Sequence, residues 1–115
     1  GVSKVFENTS YNRVWNASIK AVKSSYFVNK DLNFISGDKR SGLIKLEKKG
    51  STLELLVTGI YTGERVVVFV DRVKGRNAVR VEAVSQKITT DNPLSSKDWE
   101  PSIIRKIQYL LERGR

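Results

Sequence analysis

Apolar residues recur at helical spacing near both ends of this chain and alternate with polar ones through its middle. After Ser10, the residues Tyr11, Val14, Trp15, Ser18, Ile19, Val22 and Tyr26 fall three or four apart, while Asn12, Arg13, Asn16, Lys20 and Lys23 take the other side. That spacing predicts an amphipathic helix over about residues 10–25 with one buried stripe. Ser10 is its N-cap, since the hydroxyl can accept from the free amides of the first turn. Trp15 lies inside the stripe, between Val14 and Ile19. A base-stacking ring would stand among basic residues instead, so Trp15 reads as core.

Strands follow. One lies within Phe27 to Gly37, and "GDKRSG" after it is turn chemistry in which Asp38 serves the turn rather than catalysis. The stretch "LIKLEKKGSTLELLV" predicts strand, tight turn, strand, with the turn centred on Gly50-Ser51 or on Lys49-Gly50. Either centre puts Ile44, Leu46, Leu53 and Leu55 on one face and Lys45, Glu47 and Glu54 on the other. In "GERVVVFVDRVKGRNAVRVEAVSQ" a turn at Gly75-Arg76 pairs Val70 with Val81, Val68 with Ala83 and Asp71 with Arg80. An opposite-charge pair across strands adds a few tenths to ~1 kcal/mol to that register. "TGIYTGE", Thr58 to Glu64, joins the two hairpins into an antiparallel meander.

After a loop containing Pro93 and Ser95-Ser96, Asp98 is placed to cap a closing helix with Pro101 in its first turn. Trp99, Ile103, Ile107, Leu110 and Leu111 form its stripe. Arg105, Lys106 and Arg113 suit the C-terminal half through the helix dipole, and Gly114 stops it. Two one-sided helices must each bury a stripe against the sheet. The predicted fold is therefore α+β: a two-layer sandwich of one domain over residues 1–115. It has a meander of four or five antiparallel strands (about 27–88), with helices at about 10–25 and 98–113 packed on one face.

Alternation assigns Ile44, Leu46, Leu53, Leu55, Val57, Val66, Val68, Val70, Val79, Val81 and Ala83 to the covered face. The other face carries Lys45, Glu47, Glu54, Arg65, Asp71, Arg80 and Glu82, and a solvated sheet face should be polar throughout. Here Leu43, Leu56, Val67, Phe69 and Val84 interrupt it, with Val67 opposite Val84. An apolar centre rimmed by charge resembles a docking surface. These five residues are the candidate partner-binding set, for a protein partner, a second copy or a neighbouring domain. The competing expectation is that the strand before Gly37, or a terminus, folds over them.

Composition narrows the chemistry. The 115 residues include no cysteine, histidine or methionine. Disulfides, thiolate metal sites, the usual zinc sites and every histidine-containing triad are excluded. Neither a Walker loop nor a G-x-S-x-G elbow occurs, and no carboxylates pair at a readable spacing. N-x-S/T matches at Asn8 and Asn16 are chance-level patterns. The expectation is no enzyme, no cofactor, no metal and no small-molecule substrate. The longest apolar run, "VVVFV" at Val66–Val70, has strand length, far short of the ~20 residues that span a bilayer.

Lys and Arg number 21 against 12 Asp and Glu, a net charge of +9. Basic residues are scattered from Lys4 to Arg115, as solubility alone would have them, yet the balance also favours polyanions. Arg72, Lys74, Arg76 and Arg80, around the second hairpin's tip, are the alternative, nucleic-acid-binding set. No aromatic residue is interleaved with them, as an RNA-reading sheet would require. An anionic membrane surface is a further possible contact.

The strings "KVFENTSYNRVWNASIKAVKSS" and "SGDKRSGLIKLEKKG" resemble the small globular domains of bacterial lipoproteins, including those similar to the outer-membrane assembly lipoprotein BamC (NlpB). The likeness rests on Ser10-Tyr11, the helical Trp15, Ala17 and Ala21, and a D-x-x-x-G-x-I pattern at Asp38, Gly42 and Ile44. It implies a periplasmic, outer-membrane-associated domain acting as an adaptor or structural component, with no catalytic residues to carry over. The chain starts at Gly1 without methionine, so the lipidated cysteine that the resemblance implies is expected upstream.

Overall fold

The computed structural model describes residues 1–50, 52–59, 63–88 and 99–114. The order of elements is β1 (Val2–Glu7), α1 (Tyr11–Val22), α2 (Ser25–Val28), β2 (Leu32–Asp38), β3 (Leu43–Lys48), α3 (Thr52–Thr58), β4 (Gly63–Arg72), β5 (Ala78–Ile88) and α4 (Trp99–Arg113). The five strands form one antiparallel sheet in the order β1-β5-β4-β3-β2. The helices α1 and α4 pack against each other and on one face of that sheet, the predicted α+β sandwich.

Ser10 caps α1 as expected, its hydroxyl accepting from the Arg13 amide at 3.2 Å. The buried stripe is Val14, Trp15, Ser18, Ala21 and Val22. Burying Ser18 is tolerable because its hydroxyl donates to the Val14 carbonyl at 2.7 Å. Trp15 is core. The helix stops earlier than its periodicity suggests, because Ser24 is extended and a separate turn, α2, starts after it. That break rotates Phe27 fully into the core and turns Tyr26 outward, 46% exposed, rather than into the stripe.

The second hairpin has the predicted register: Val70 pairs with Val81, Val68 with Ala83, Val67 with Val84 and Asp71 with Arg80. The first does not exist. Residues 52–58, expected as a strand, are α3, and β3 pairs directly with β4, Leu43 opposite Phe69 and Lys48 opposite Glu64. Both edges of β3 are taken, by β2 and β4, so a strand at 53–57 cannot pair with β3 as the predicted hairpin requires. Leu-rich "TLELLVT" is also good helix sequence, and its run Leu55-Leu56-Val57 breaks alternation. Leu55 and Val57 are accordingly exposed rather than buried, and Glu54 belongs to α3 instead of the sheet.

The fifth strand is β1, which pairs with β5 from Val2 opposite Ala83 to Glu7 opposite Ala78. In α4, Trp99, Ile103, Ile104 and Ile107 are buried and Leu110 and Leu111 pack partly against them. The predicted cap Asp98 and the loop before it lie outside the described residues. Two bonds seat the start of α4. Glu100 accepts from the Ser85 amide at 3.0 Å, and the Trp99 indole donates to buried Glu64 at 2.7 Å. At its other end, the Arg13 guanidinium of α1 donates to the Leu111 carbonyl at 3.2 Å. A cation there suits the negative end of the helix.

Candidate interaction surface

Pleating sends alternate side chains of each strand to opposite faces. Ile44, Leu46, Val66, Val68, Val70, Val79, Val81 and Ala83 are all buried beneath α1 and α4, as alternation predicts. Their neighbours build the other face, opposite α1 and α4, where Gly1 lies beside Val84 and Glu82. Phe69 stands between Leu43 and Glu82, and Val67 between Lys45 and Val84. Phe69 is 38% exposed, and Leu43, Val67 and Val84 are half-buried, outside the core cluster. Arg65, Asp71 and Arg80 continue the rim. Four of the five candidate residues are thus brought together. The fifth, Leu56, is not: it sits on α3, 78% exposed, because the strand that would have carried it is a helix.

The basic set is divided. Arg72, Lys74 and Arg76 line a groove of about 460 Å3 with Ser10, Tyr11 and Asn12 at the start of α1. The Arg72 guanidinium lies 4.3 Å from the centroid of the Tyr11 ring. Burial raises the Tyr11 phenol above its ordinary pKa, against the opposing pull of Arg72. Arg76 forms a salt bridge with Glu7 of β1. Arg80 leaves the group altogether: it faces the open side of the sheet and reaches Glu82 at 3.6 Å, although Asp71 is its partner in register.

A groove of about 260 Å3 between β1 and α4 is lined by Lys4, Gln108, Glu112 and neighbours that satisfy one another. Lys4 donates to Gln108 at 2.9 Å and Gln108 to Glu112 at 3.1 Å. A third concavity, about 430 Å3, lies on the outer side of α4 and is lined by Tyr26, Ser102, Arg105, Lys106 and Tyr109. Sequence reasoning placed Tyr26 in a buried stripe and explained Arg105 and Lys106 by the helix dipole alone. The usable signal was the spacing of Tyr109 from Arg105 and Lys106, four and three residues on one helix face. Among the described residues no group of three or more acidic side chains could hold a metal ion, and no helix is long and apolar enough to cross a membrane.

No family model matches the chain, and no curated protein matches it in sequence. Among solved structures it is similar to a DUF4468 family protein from Bacteroides ovatus ATCC 8483. The TM-score is 0.40 at 18% identity, over 98% of this chain and 80% of that one. It is similar also to Ara h 8.0201, with a TM-score of 0.42 at 14% identity, over 96% of this chain and 99% of that one.

Proposed function

We propose that this chain is a non-catalytic, lipoprotein-type domain of the periplasm that works as an adaptor, docking a protein surface on the open face of its sheet. The observation that carries the reading is the patch of Leu43, Val67, Phe69 and Val84 on the face opposite both packed helices. A row of apolar side chains with mixed charge around it, Lys45, Arg65 and Arg80 against Asp71 and Glu82, fits another protein surface better than a uniformly charged polymer. The lipoprotein resemblance supports the compartment and an upstream anchor. An anchored domain of charge +9 would also be drawn to anionic headgroups. The alternative, nucleic-acid binding at Arg72, Lys74, Arg76 and Arg80, has less behind it, since Glu7 neutralises Arg76 and Arg80 faces elsewhere.

A photo-crosslinking residue placed at position 69 in the native cell tests this directly. One discrete adduct, lost when Val67 is changed to Ser, is expected. Only monomer, or a smear, would remove the docking reading. The substitution Phe69→Ser should also shift the melting temperature by no more than about 3 °C, as surface changes do. A much larger fall would make Phe69 a packing residue. Fatty-acid labelling and cell fractionation of the full gene product test the anchor and the compartment.

A further inference from the structure

Tyr26 and Tyr109 come from distant parts of the sequence and line one groove on the outer side of α4, 46% and 52% exposed. Cations stand on or beside both rings. The Lys30 ammonium lies 3.7 Å from the Tyr26 centroid and that of Lys106 lies 5.3 Å from the Tyr109 centroid. Arg105 lies along the same wall, its guanidinium directed to the Ser102 hydroxyl at 3.4 Å. Among the described residues no carboxylate lines the groove. The acidic residues of α4 are engaged elsewhere, Glu100 with the Ser85 amide and Glu112 with Gln108. We propose that this groove between α2 and α4 binds single-stranded nucleic acid, with Tyr26 and Tyr109 stacking on bases and Lys30, Arg105 and Lys106 meeting phosphates.

Aromatic platforms set among cations, none of them in a salt bridge with a described carboxylate, are the two halves of single-strand recognition, since every base has a π-face and every nucleotide a charge. At the basic hairpin a single ring, Tyr11, stands beside Arg72, whereas this groove brings two rings together. A lipid surface suits the groove less well. Insertion needs a sizeable apolar face, and the aliphatic residues Ile103, Ile104 and Ile107 of α4 are buried in the core. An acidic peptide would make no use of two exposed rings. Hydrogen bonds from Lys30 and Ser102, with the charge of Lys30, hold the Tyr26 phenol below its ordinary pKa. The long, flexible lysine stem lets the Lys30 ammonium leave the ring for a phosphate when a base takes its place.

Fluorescence anisotropy with a labelled twelve-residue oligothymidylate tests the site. Binding in the micromolar range at low salt is expected, with log affinity falling against log salt at a slope of about −2 for three neutralised phosphates. Tyr109→Ala should weaken it about tenfold and Tyr26→Ala similarly, by loss of stacking. Tyr109→Phe should retain it, and replacing Lys30, Arg105 and Lys106 by Ala should flatten the slope. Tyr109 is a solvent-facing position, so its variants serve even if Tyr26→Ala fails to fold. Equal affinity of Tyr109→Ala and the native chain overturns the proposal. So does binding that heparin, or vesicles rich in phosphatidylglycerol, reproduce with the same losses while the oligonucleotide shows none. Phe69→Ser should bind the oligonucleotide normally, so failure here and failure of the docking face are separate results.

Discussion

Replacing Gly42 by alanine should lower the melting temperature by roughly 12–25 °C, the outcome of a loss of about 3–5 kcal/mol. Gly42 closes the turn between β2 and β3 with φ of +71°, where any side chain carries a penalty of about 1–2 kcal/mol. The larger part of the loss is steric. A Cβ at this position would overlap the backbone carbonyl of Val70, with the Tyr11 hydroxyl close by. A backbone group held in the β4–β5 ladder cannot swing aside as a flexible side chain would. The contact is tight because it is useful: Gly42 accepts from the Val70 amide at 2.8 Å and donates to the Asp38 carbonyl at 2.9 Å, tying the turn to the sheet. Against a typical total stability of about 5–15 kcal/mol, the loss would leave a marginal domain. Thermal melts followed by circular dichroism check it, with Ser41→Ala as the neighbouring control. A fall under about 4 °C would show that the turn can move away from β4.

Removing the Trp99 side chain should have an effect of similar size, about 3–5 kcal/mol for Trp99→Ala. The ring is almost wholly buried, tilted against Phe27 with centroids 6.1 Å apart, and its N–H donates to Glu64 inside the protein. Truncation leaves a large cavity and deprives a buried carboxylate of a donor. Trp99→Phe separates the two contributions. It keeps most of the packing and loses the bond, with an expected loss of about 1.5–3 kcal/mol, the range for hydrogen bonds to charged groups. Glu64→Gln retains an acceptor and should cost about 1 kcal/mol. Urea unfolding of the three variants should give that order. A tryptophan-to-phenylalanine loss close to zero would show that Glu64 finds another donor.

The pattern of residues revealed the sheet's centre better than its edges. "VVVFVDRVKGRNAVRVEA" carries strict alternation and a glycine turn, and its register is found residue for residue. "VSKVFE" at the N-terminus is β1, but only Phe6 is buried there, so its inward face has too few apolar residues to announce a strand. "STLELLV" misleads in the opposite sense. Its first residues alternate, yet the pairing of β3 with β4 takes the edge that the predicted hairpin would need, and such pairing is a long-range fact. The open face was legible where it rests on β3, β4 and β5, through Leu43, Val67, Phe69 and Val84. It was misread at Leu56 for the same topological reason. The groove at Tyr26 was hidden because the helix break at Ser24 turns that ring around.

The strand β1 has a further implication for how the domain is made. Ribosomal synthesis delivers Val2–Glu7 ahead of the other elements, yet their hydrogen-bonding partners are residues 78–83. The earliest ribbon therefore waits, unmated, until nearly all the strands have emerged, and a nascent chain halted before β5 has nowhere to put it. Proteolytic clipping ahead of Asn8 would do the converse damage in the finished molecule. It would strip the outer flank of β5 and offer its bare amides and carbonyls as a template on which a foreign ribbon could zip.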